Sequence, residues 1–508
     1  MGNTSENNKR IAKNTLLLYC RMLFLMVVSL YTSRVVLNAL GVEDFGIYNV
    51  VGGIVAMFTV LSGSLSAAIS RFITYELGKG NQDNLNKIFS SAVTIQLGLA
   101  GIIILLAETI GLWFLNTKMN IPESRMEAAN WVFQFSILTF AINLVSVPYN
   151  ASIIAHEKMS AFAYISILEA VGKLTIAYLI VISPIDKLIF YAILMCGVAL
   201  VVRFTYGNYC KKHFSECTYH LIWDKHLLKQ MFGFAGWNFI GASSAVLRDQ
   251  GGNIVINLFC GPTVNAARGI AFQVNNAIQG FVTNFMTALN PQITKSYAIG
   301  DMNYMMTLIF QGARLSFYML LLLSLPVMID THYILELWLH EVPKHTVLFV
   351  RLVLIFALSE SISQPLITAM LATGNIRNYQ IIVGGLQMMN LPISYLFLQM
   401  GMIPETVIII SIIISQFCLM ARLILLKNMI GVCIKEYVKK VWINVILVGC
   451  MSAIIPLWLE SITNESFYRF IWLTITSVII TIVIELYVGC NANERQFMYD
   501  RIKKIKRF

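Results

Sequence analysis

Charge is what this chain has least of. Of its 508 residues only 12% are Asp, Glu, Lys or Arg, while 57% are hydrophobic. Mean hydropathy is +0.71. A water-soluble domain of that composition would precipitate, which excludes a soluble globular class and leaves an all-α polytopic membrane protein. Long polar stretches are missing too. The longest connection between apolar runs, near 210–229, holds roughly 20 residues, so no extramembrane catalytic domain is expected. The nine cysteines are scattered, mostly in apolar segments, and suggest no disulfide framework. No short cleavable signal with a small-residue site occurs. The first apolar run is long and contains arginines, so it is expected to stay as a helix. Glu6 breaks the N-myristoylation pattern. No nucleophile triad, phosphate-binding loop or carboxylate pair placed for hydrolysis is found, so neither an enzyme nor a cofactor is expected. Cys210, His213, Cys217 and His220 resemble a metal set, but their spacing matches no common zinc module and no metal is expected.

What the chain does have is apolar length. About 14 segments are long enough to span a bilayer: 12–37, 46–72, 88–115, 128–154, 159–183, 187–209, 230–258, 264–290, 304–329, 346–371, 378–400, 404–427, 438–459 and 467–489. With the N-terminus placed inside and the segments alternating, 24 loop and tail Lys and Arg residues fall inside, and only Lys118, Arg125, Lys187, Lys344 and Arg469 outside. Positive charge resists translocation, so both termini are expected to be cytoplasmic and the number of spans even.

The first twelve segments read as two copies of six. At an offset of 220, Gly41 meets Gly261, and Gly78-Lys79-Gly80-Asn81 meets Ala298-Ile299-Gly300-Asp301. At an offset of 217, Pro148 meets Pro365 and Ala155 meets Ala372. Six is even, so the copies share one orientation, related by an axis along the membrane normal. The expected division is an N-terminal lobe over 1–215, a second lobe over 216–430, two further helices over 431–490 and a basic cytoplasmic tail over 491–508. Met498, Ile502, Ile505 and Phe508 share a face of that tail, which suits a surface helix on anionic lipid.

The stretch 245–293 organises the rest. Both segments around Gly261-Pro262 are apolar enough for a bilayer, yet they carry Arg248, Asp249 and Arg268. Asp249, Asn253 and Asn257 recur at helical spacing before the turn, and Arg268, Asn275, Gln279, Thr283, Thr287 and Asn290 after it. Lipid rejects such a face, so it is expected to form one wall of a polar central cavity.

Two N-terminal pieces then carry a resemblance. One is Leu40-Gly41-Val42-Glu43-Asp44-Phe45-Gly46-Ile47-Tyr48, an L-G-x-x-x-F-G-x-Y turn. The other is Gly63-Ser64-Leu65-Ser66-Ala67-Ala68-Ile69-Ser70-Arg71, followed by Gly78-Lys79-Gly80-Asn81. With the 6+6+2 plan, the chain resembles the polysaccharide transporter family, flippases of undecaprenyl-pyrophosphate-linked oligosaccharides in the superfamily of multidrug exporters and lipid II flippases. The resemblance implies two MATE-like lobes, alternating access by rocking, and a role in O-antigen or capsule biosynthesis at the bacterial inner membrane. It implies lipid-linked oligosaccharide diphosphate, membrane lipids and polysaccharide polymerase machinery as partners, and no nucleic acid. Asp249 stands where the family often has an acid. Asn265-Ala266-Ala267-Arg268 departs from its usual glycine-tyrosine pair.

Eight basic residues lie within or at the ends of the expected spans: Arg21, Arg34, Lys173, Arg203, Arg248, Arg268, Arg314 and Arg351, against the acids Glu108, Glu169, Asp249, Glu360 and Glu485. A cation at bilayer depth costs about 3 kcal/mol or more, so several arginines point to an anionic ligand, and arginine offers phosphate a planar fork of donors. Arg268, Arg34, Arg21, Arg248, Asn275, Gln279, Thr283 and Asn290 are the expected substrate-binding residues, with Asp249 and Glu360 as ion-coupling acids. Thirteen steps of about 100° set Arg21 and Arg34 roughly 140° apart on a straight helix, so they do not share one narrow cleft. Glu169 and Lys173 suit an i,i+4 ion pair, and Arg203 suits snorkelling to an interface. Glu360, Gln364 and Thr368 form a shorter polar stripe, as do Asn143, Ser146 and Asn150. Two other classes stay open: a drug or cation antiporter, which should favour buried acids over arginines, and a membrane glycan polymerase or ligase, which would need a large outer loop.

Overall fold

A computed structural model describes residues 2–41, 44–45, 47–48, 51–52, 55, 59–118, 121–220, 222, 224–339, 342–463, 465–491 and 494–495, without the side chains of 2–9, 30, 33–34, 37, 59–61 and 262–263. The expected surface helix of the tail lies outside the described residues. So does the Arg34 side chain.

Among the described residues every element is helical, and the chain forms two compact units, Met1–Ala242 and Ser243–Phe508. Ten helices are long and apolar enough to cross a membrane, and Thr346–Ser361 with Gln364–Thr373, bent by 41° between them, makes an eleventh. This multi-pass count differs from the expected fourteen at three segments. Residues 46–72 are only partly described, with Thr59–Lys79 helical. The segments 230–258 and 264–290 both lie in Lys225–Ile299, helical except at Gly261. Neither joins the apolar spans. The polar residues that make this stretch distinctive also lower its hydropathy, so the expectation that both segments are apolar enough is not met.

In the first unit, Met126–Ala155 packs against Lys187–His213, Thr59–Lys79 and Gln82–Leu106, and Gly2–Leu40 against Met159–Leu179. Phe133, Val132 and Leu115 are fully buried in one core cluster. In the second, Met302–Ile329 is the central helix, in contact with Thr346–Ser361, Gln364–Thr373, Ile443–Ile462 and Phe467–Ile484. Phe467–Ile484 buries only Leu473, Ser477 and Thr481, one stripe at four-residue spacing, and Ile443–Ile462 buries Val445, Val448, Ser452 and Pro456. Small residues on such stripes let helix backbones approach where lipid removes the hydrophobic drive for association.

Local features recur between the units at the spacing read from the sequence. Gly41 and Gly261 both take the left-handed conformation, at φ 83° and 80°. Gly80 and Gly300 do likewise, at 72° and 86°, and each precedes an N-cap. Asn81 accepts from the Asn84 N–H at 3.1 Å, and Asp301 from the Tyr304 N–H at 3.0 Å. Such caps satisfy donors that a helix start leaves free. At the offset of 217, Glu157 and Gly374 also have positive φ, 58° and 78°.

The recurrence reaches two charged latches. Arg125 donates to Asp186 at 2.6 Å and to Asp44 at 2.8 Å, tying Asp44 to the starts of two helices. Arg125 plus 220 is His345, whose ring bonds the Glu405 carboxylate at 2.6 Å. Asp186 and Glu405 are N-caps of their own helices.

Candidate functional site

The site is built in the second unit from the charged part of Lys225–Ile299. Gly251 and Gly252 sit here because there is no room for more. A Cβ on Gly251 would lie 2.4 Å from the Leu391 Cδ1, and one on Gly252 would lie 3.2 Å from the Arg268 Nη2. Arg248 bonds its own neighbour. Its Nε donates to the Asp249 Oδ1 at 2.9 Å and its Nη2 to the Oδ2 at 3.3 Å, with the guanidinium 5.0 Å from the Phe356 ring centre.

Arg268 is 5% exposed. Its Nη2 donates to the backbone carbonyl of Asp249 at 2.9 Å, its Nη1 donates to the Asn253 side-chain oxygen, and the Phe272 ring lies 4.2 Å beneath it. No carboxylate bonds it directly among the described residues, although Asp249 is in electrostatic contact with it, and its Nε has no acceptor. Two turns on, Asn275 is buried with its Oδ1 also without a partner. The stripe continues as Gln279, half-buried, and Thr283, exposed. Thr283 and Thr287 donate back to the carbonyls of Gln279 and Thr283, at 3.1 and 2.8 Å, which lets hydroxyls sit in a helix without outside partners. Asn290 accepts from Thr368 at 2.8 Å.

A second charged pair stands beside the first. The helix bends between Ser361 and Gln364, where Pro365 has no N–H to continue the ladder. Glu360 lies at that break, 3.9 Å from the Arg422 Nη1, and is in electrostatic contact with Arg248. Arg422, with its side chain 1% exposed, also neighbours Tyr379. This corrects the placing of Arg422 among cytoplasmic loop charges: it lies inside Thr406–Ile430 with apolar residues on both sides. The run Leu419-Met420-Ala421-Arg422-Leu423-Ile424-Leu425 carried that signal, an arginine two turns from the nearest helix end.

The remaining expected residues go elsewhere. Arg21 is in the first unit, 4.3 Å over the Phe162 ring. Arg314 is buried and bonds Glu494 at 2.5 Å and the Gly489 carbonyl at 3.3 Å. Arg351 caps the end of Met302–Ile329 through the Ile329 carbonyl at 3.2 Å. Lys173 pairs with Glu169 at 2.6 Å. Asn150 keeps a buried Oδ1 without partner, while Ser146 bonds the Ile142 carbonyl within its own helix. Cys210 and Cys217 are buried free thiols, whereas His213 stacks on Tyr209. Among the described residues the one set close enough for a metal is His332, Glu336 and Glu465, all exposed.

The helical arrangement is that of known membrane transporters. An outward-facing multidrug resistance MATE family transporter of the MOP superfamily superposes with a TM-score of 0.72 at 13% identity, over 84% of this chain and 96% of that one. A MOP superfamily transporter from Pyrococcus furiosus, described by the reverse polarity of its binding pocket, superposes at 0.67 with 14% identity over the same shares. At that identity the likeness defines the class of fold, MATE-like. A family model described as polysaccharide biosynthesis protein matches residues 11–297, and the chain belongs to that family. The uncharacterized membrane protein EpsK of Bacillus subtilis (strain 168) is 20% identical over 302 residues, 59% of the length of each chain.

Proposed function

We propose that the protein is a flippase that carries an oligosaccharide linked to undecaprenyl diphosphate across the cytoplasmic membrane for cell-surface polysaccharide synthesis. One observation carries this reading. In the second unit three guanidinium groups, Arg248, Arg268 and Arg422, stand with two carboxylates, Asp249 and Glu360, and the acid in electrostatic contact with Arg268, Asp249, is already bonded by Arg248. A buried cation that shares its counter-ion with a second arginine is costly unless a ligand supplies further charge. A diphosphate does so, and its oxygens match the guanidinium fork. The stripe Asn275–Gln279–Thr283–Asn290 offers neutral amides and hydroxyls suited to sugar. Asp249, 40% exposed, is the acid we assign to ion coupling, with Glu360 its more enclosed companion. Membership of a polysaccharide biosynthesis family supports a lipid-linked glycan as substrate.

The MATE-like fold admits a second reading, export of cationic drugs. Both acids of the site stand beside arginines, which disfavours an organic cation. The deciding experiment reconstitutes the full chain in vesicles and follows translocation of lipid-diphosphate oligosaccharide beside export of a cationic dye. Glycolipid movement without dye export is expected. Dye export alone would overturn the proposal. Reporter fusions at Asn3 and Phe508 should both signal a cytoplasmic position, and opposite signals would end the even-span topology.

A further inference from the structure

The first unit carries a cavity of about 550 Å³ that the proposed transport path does not use. It lies at the end of Lys187–His213 where Lys211 and Lys212 collect, the side we read as cytoplasmic. Arg203, Gly207 and Lys211 are spaced by four on that helix and share one face. The Arg203 guanidinium lies 3.9 Å over the Tyr149 ring. A Cβ on Gly207 would sit 2.9 Å from the Arg203 Nη1, so the side chain reaches one turn toward the Lys211 end, into space that glycine leaves open. Neither Arg203 nor Lys211 meets an acid among the described residues. Glu216, beside the lining residue Cys217, is held by His156 at 2.6 Å and Gln82 at 3.1 Å. Phe204 is 67% exposed and Tyr219 42%, so rings flank the opening.

We infer that this cavity binds the head group of an anionic phospholipid from the adjacent leaflet. The phosphate sits between Arg203 and Lys211, and the acyl chains run along Phe204. Two cations two helical turns apart, at the polar end of an apolar exposed face, meet the needs of a charged head with hydrocarbon attached. A free phosphate ion would gain nothing from the exposed aromatic rim, so the lipid is favoured over the ion. The site is independent of the flippase reading: it belongs to the other unit and needs no transported glycan.

The test uses full-length protein purified in detergent, titrated with phosphatidylglycerol or with phosphatidylcholine of the same acyl chains, and bound lipid counted by native mass spectrometry. Phosphatidylglycerol should be retained and phosphatidylcholine not. Arg203→Gln with Lys211→Gln should weaken retention about thirtyfold, from the loss of two near-surface cations. Gly207→Val keeps both charges, fills the space the guanidinium uses, and should also weaken retention; it decides the matter where the double variant does not fold. Equal retention of the two lipids, or unchanged retention in a folded variant of either kind, overturns the inference. Displacement of phosphatidylglycerol by excess inorganic phosphate would also overturn it, by making the ligand the bare ion.

Discussion

Replacing Arg268 separates a ligand role from a structural one, because the two predict different magnitudes. In Arg268→Ala the protein loses two hydrogen bonds from a cation, to the Asp249 carbonyl and the Asn253 side chain, and the contact over Phe272. Hydrogen bonds to charged groups contribute about 1.5–3 kcal/mol each, and a desolvated cation–ring contact about 2 kcal/mol. Against this, the variant no longer buries a guanidinium, which relieves a desolvation penalty of several kcal/mol. These nearly cancel, so folding should lose only about 1–3 kcal/mol. Transport has no such compensation. With no donor fork for the diphosphate, translocation should fall by about a hundredfold or more, equivalent to the roughly 3 kcal/mol of one or two charge-assisted bonds. Arg268→Lys restores the charge with a single point donor and should recover part of the rate. Gly252→Ala leaves the arginine in place, but its Cβ would stand 3.2 Å from Nη2, and it should act like a weak version of the loss. The assay is glycolipid translocation in vesicles normalised to folded protein, with thermal unfolding measured alongside. Arg268→Ala that transports at a near-normal rate per folded molecule would refute the reasoning, whatever its melting temperature.

Arg422→Met alone leaves Glu360 with one cation fewer and should destabilise by about 3–5 kcal/mol, while Arg422→Met with Glu360→Gln should restore most of it; equal melting points for the two variants would contradict a charge-pairing role. Gly251→Ala puts a Cβ 2.4 Å from Leu391 and should cost about 1–3 kcal/mol by overpacking, recovered by Leu391→Ala, as unfolding of the single and double variants would report. Asp186 is partly buried, but hydrogen bonds from Arg125 and from the Ile189 N–H hold its carboxyl below the usual value for aspartate. A depressed folded-state value stabilises above the ordinary Asp range, near about 3.9, and is lost as pH falls through the lowered value. Asp186→Asn should therefore lower the unfolding temperature at neutral pH and leave it unchanged in strong acid; a deficit that persists in acid would contradict the ion-pair origin.

The class of fold was legible because a bilayer imposes a coarse rule on composition, and runs of apolar length are hard to misread. The 220-residue spacing of turns was readable for a local reason: Gly41, Gly80, Gly261 and Gly300 mark backbone turns that few other residues adopt. Boundaries and partners were less visible. The segments around Gly261 look apolar by eye but carry enough amides and charge to fall below the other spans. Arg268 stood out through its periodic neighbours, whereas its acceptors, a backbone carbonyl and Asn253, come from across the turn and depend on the angle there. Arg422 reads as a loop charge by its closeness to Lys427 and Lys435, although the apolar run 404–427 encloses it and the helix continues to Ile430. Arg314 and Arg351 looked like ligand candidates, yet their partners, Glu494 and the Ile329 carbonyl, are set by packing that spacing does not reveal.

The two latches 220 residues apart have a mechanical consequence. In one half the clasp is arginine on aspartate, a rivet whose cation keeps its proton at any working pH. In the other half the corresponding place holds histidine on glutamate, a ring nitrogen where the first has a planar fork of donors. The two clasps thus differ in reach: the arginine holds two acids at once, Asp44 and Asp186, whereas the histidine holds Glu405 through one ring nitrogen.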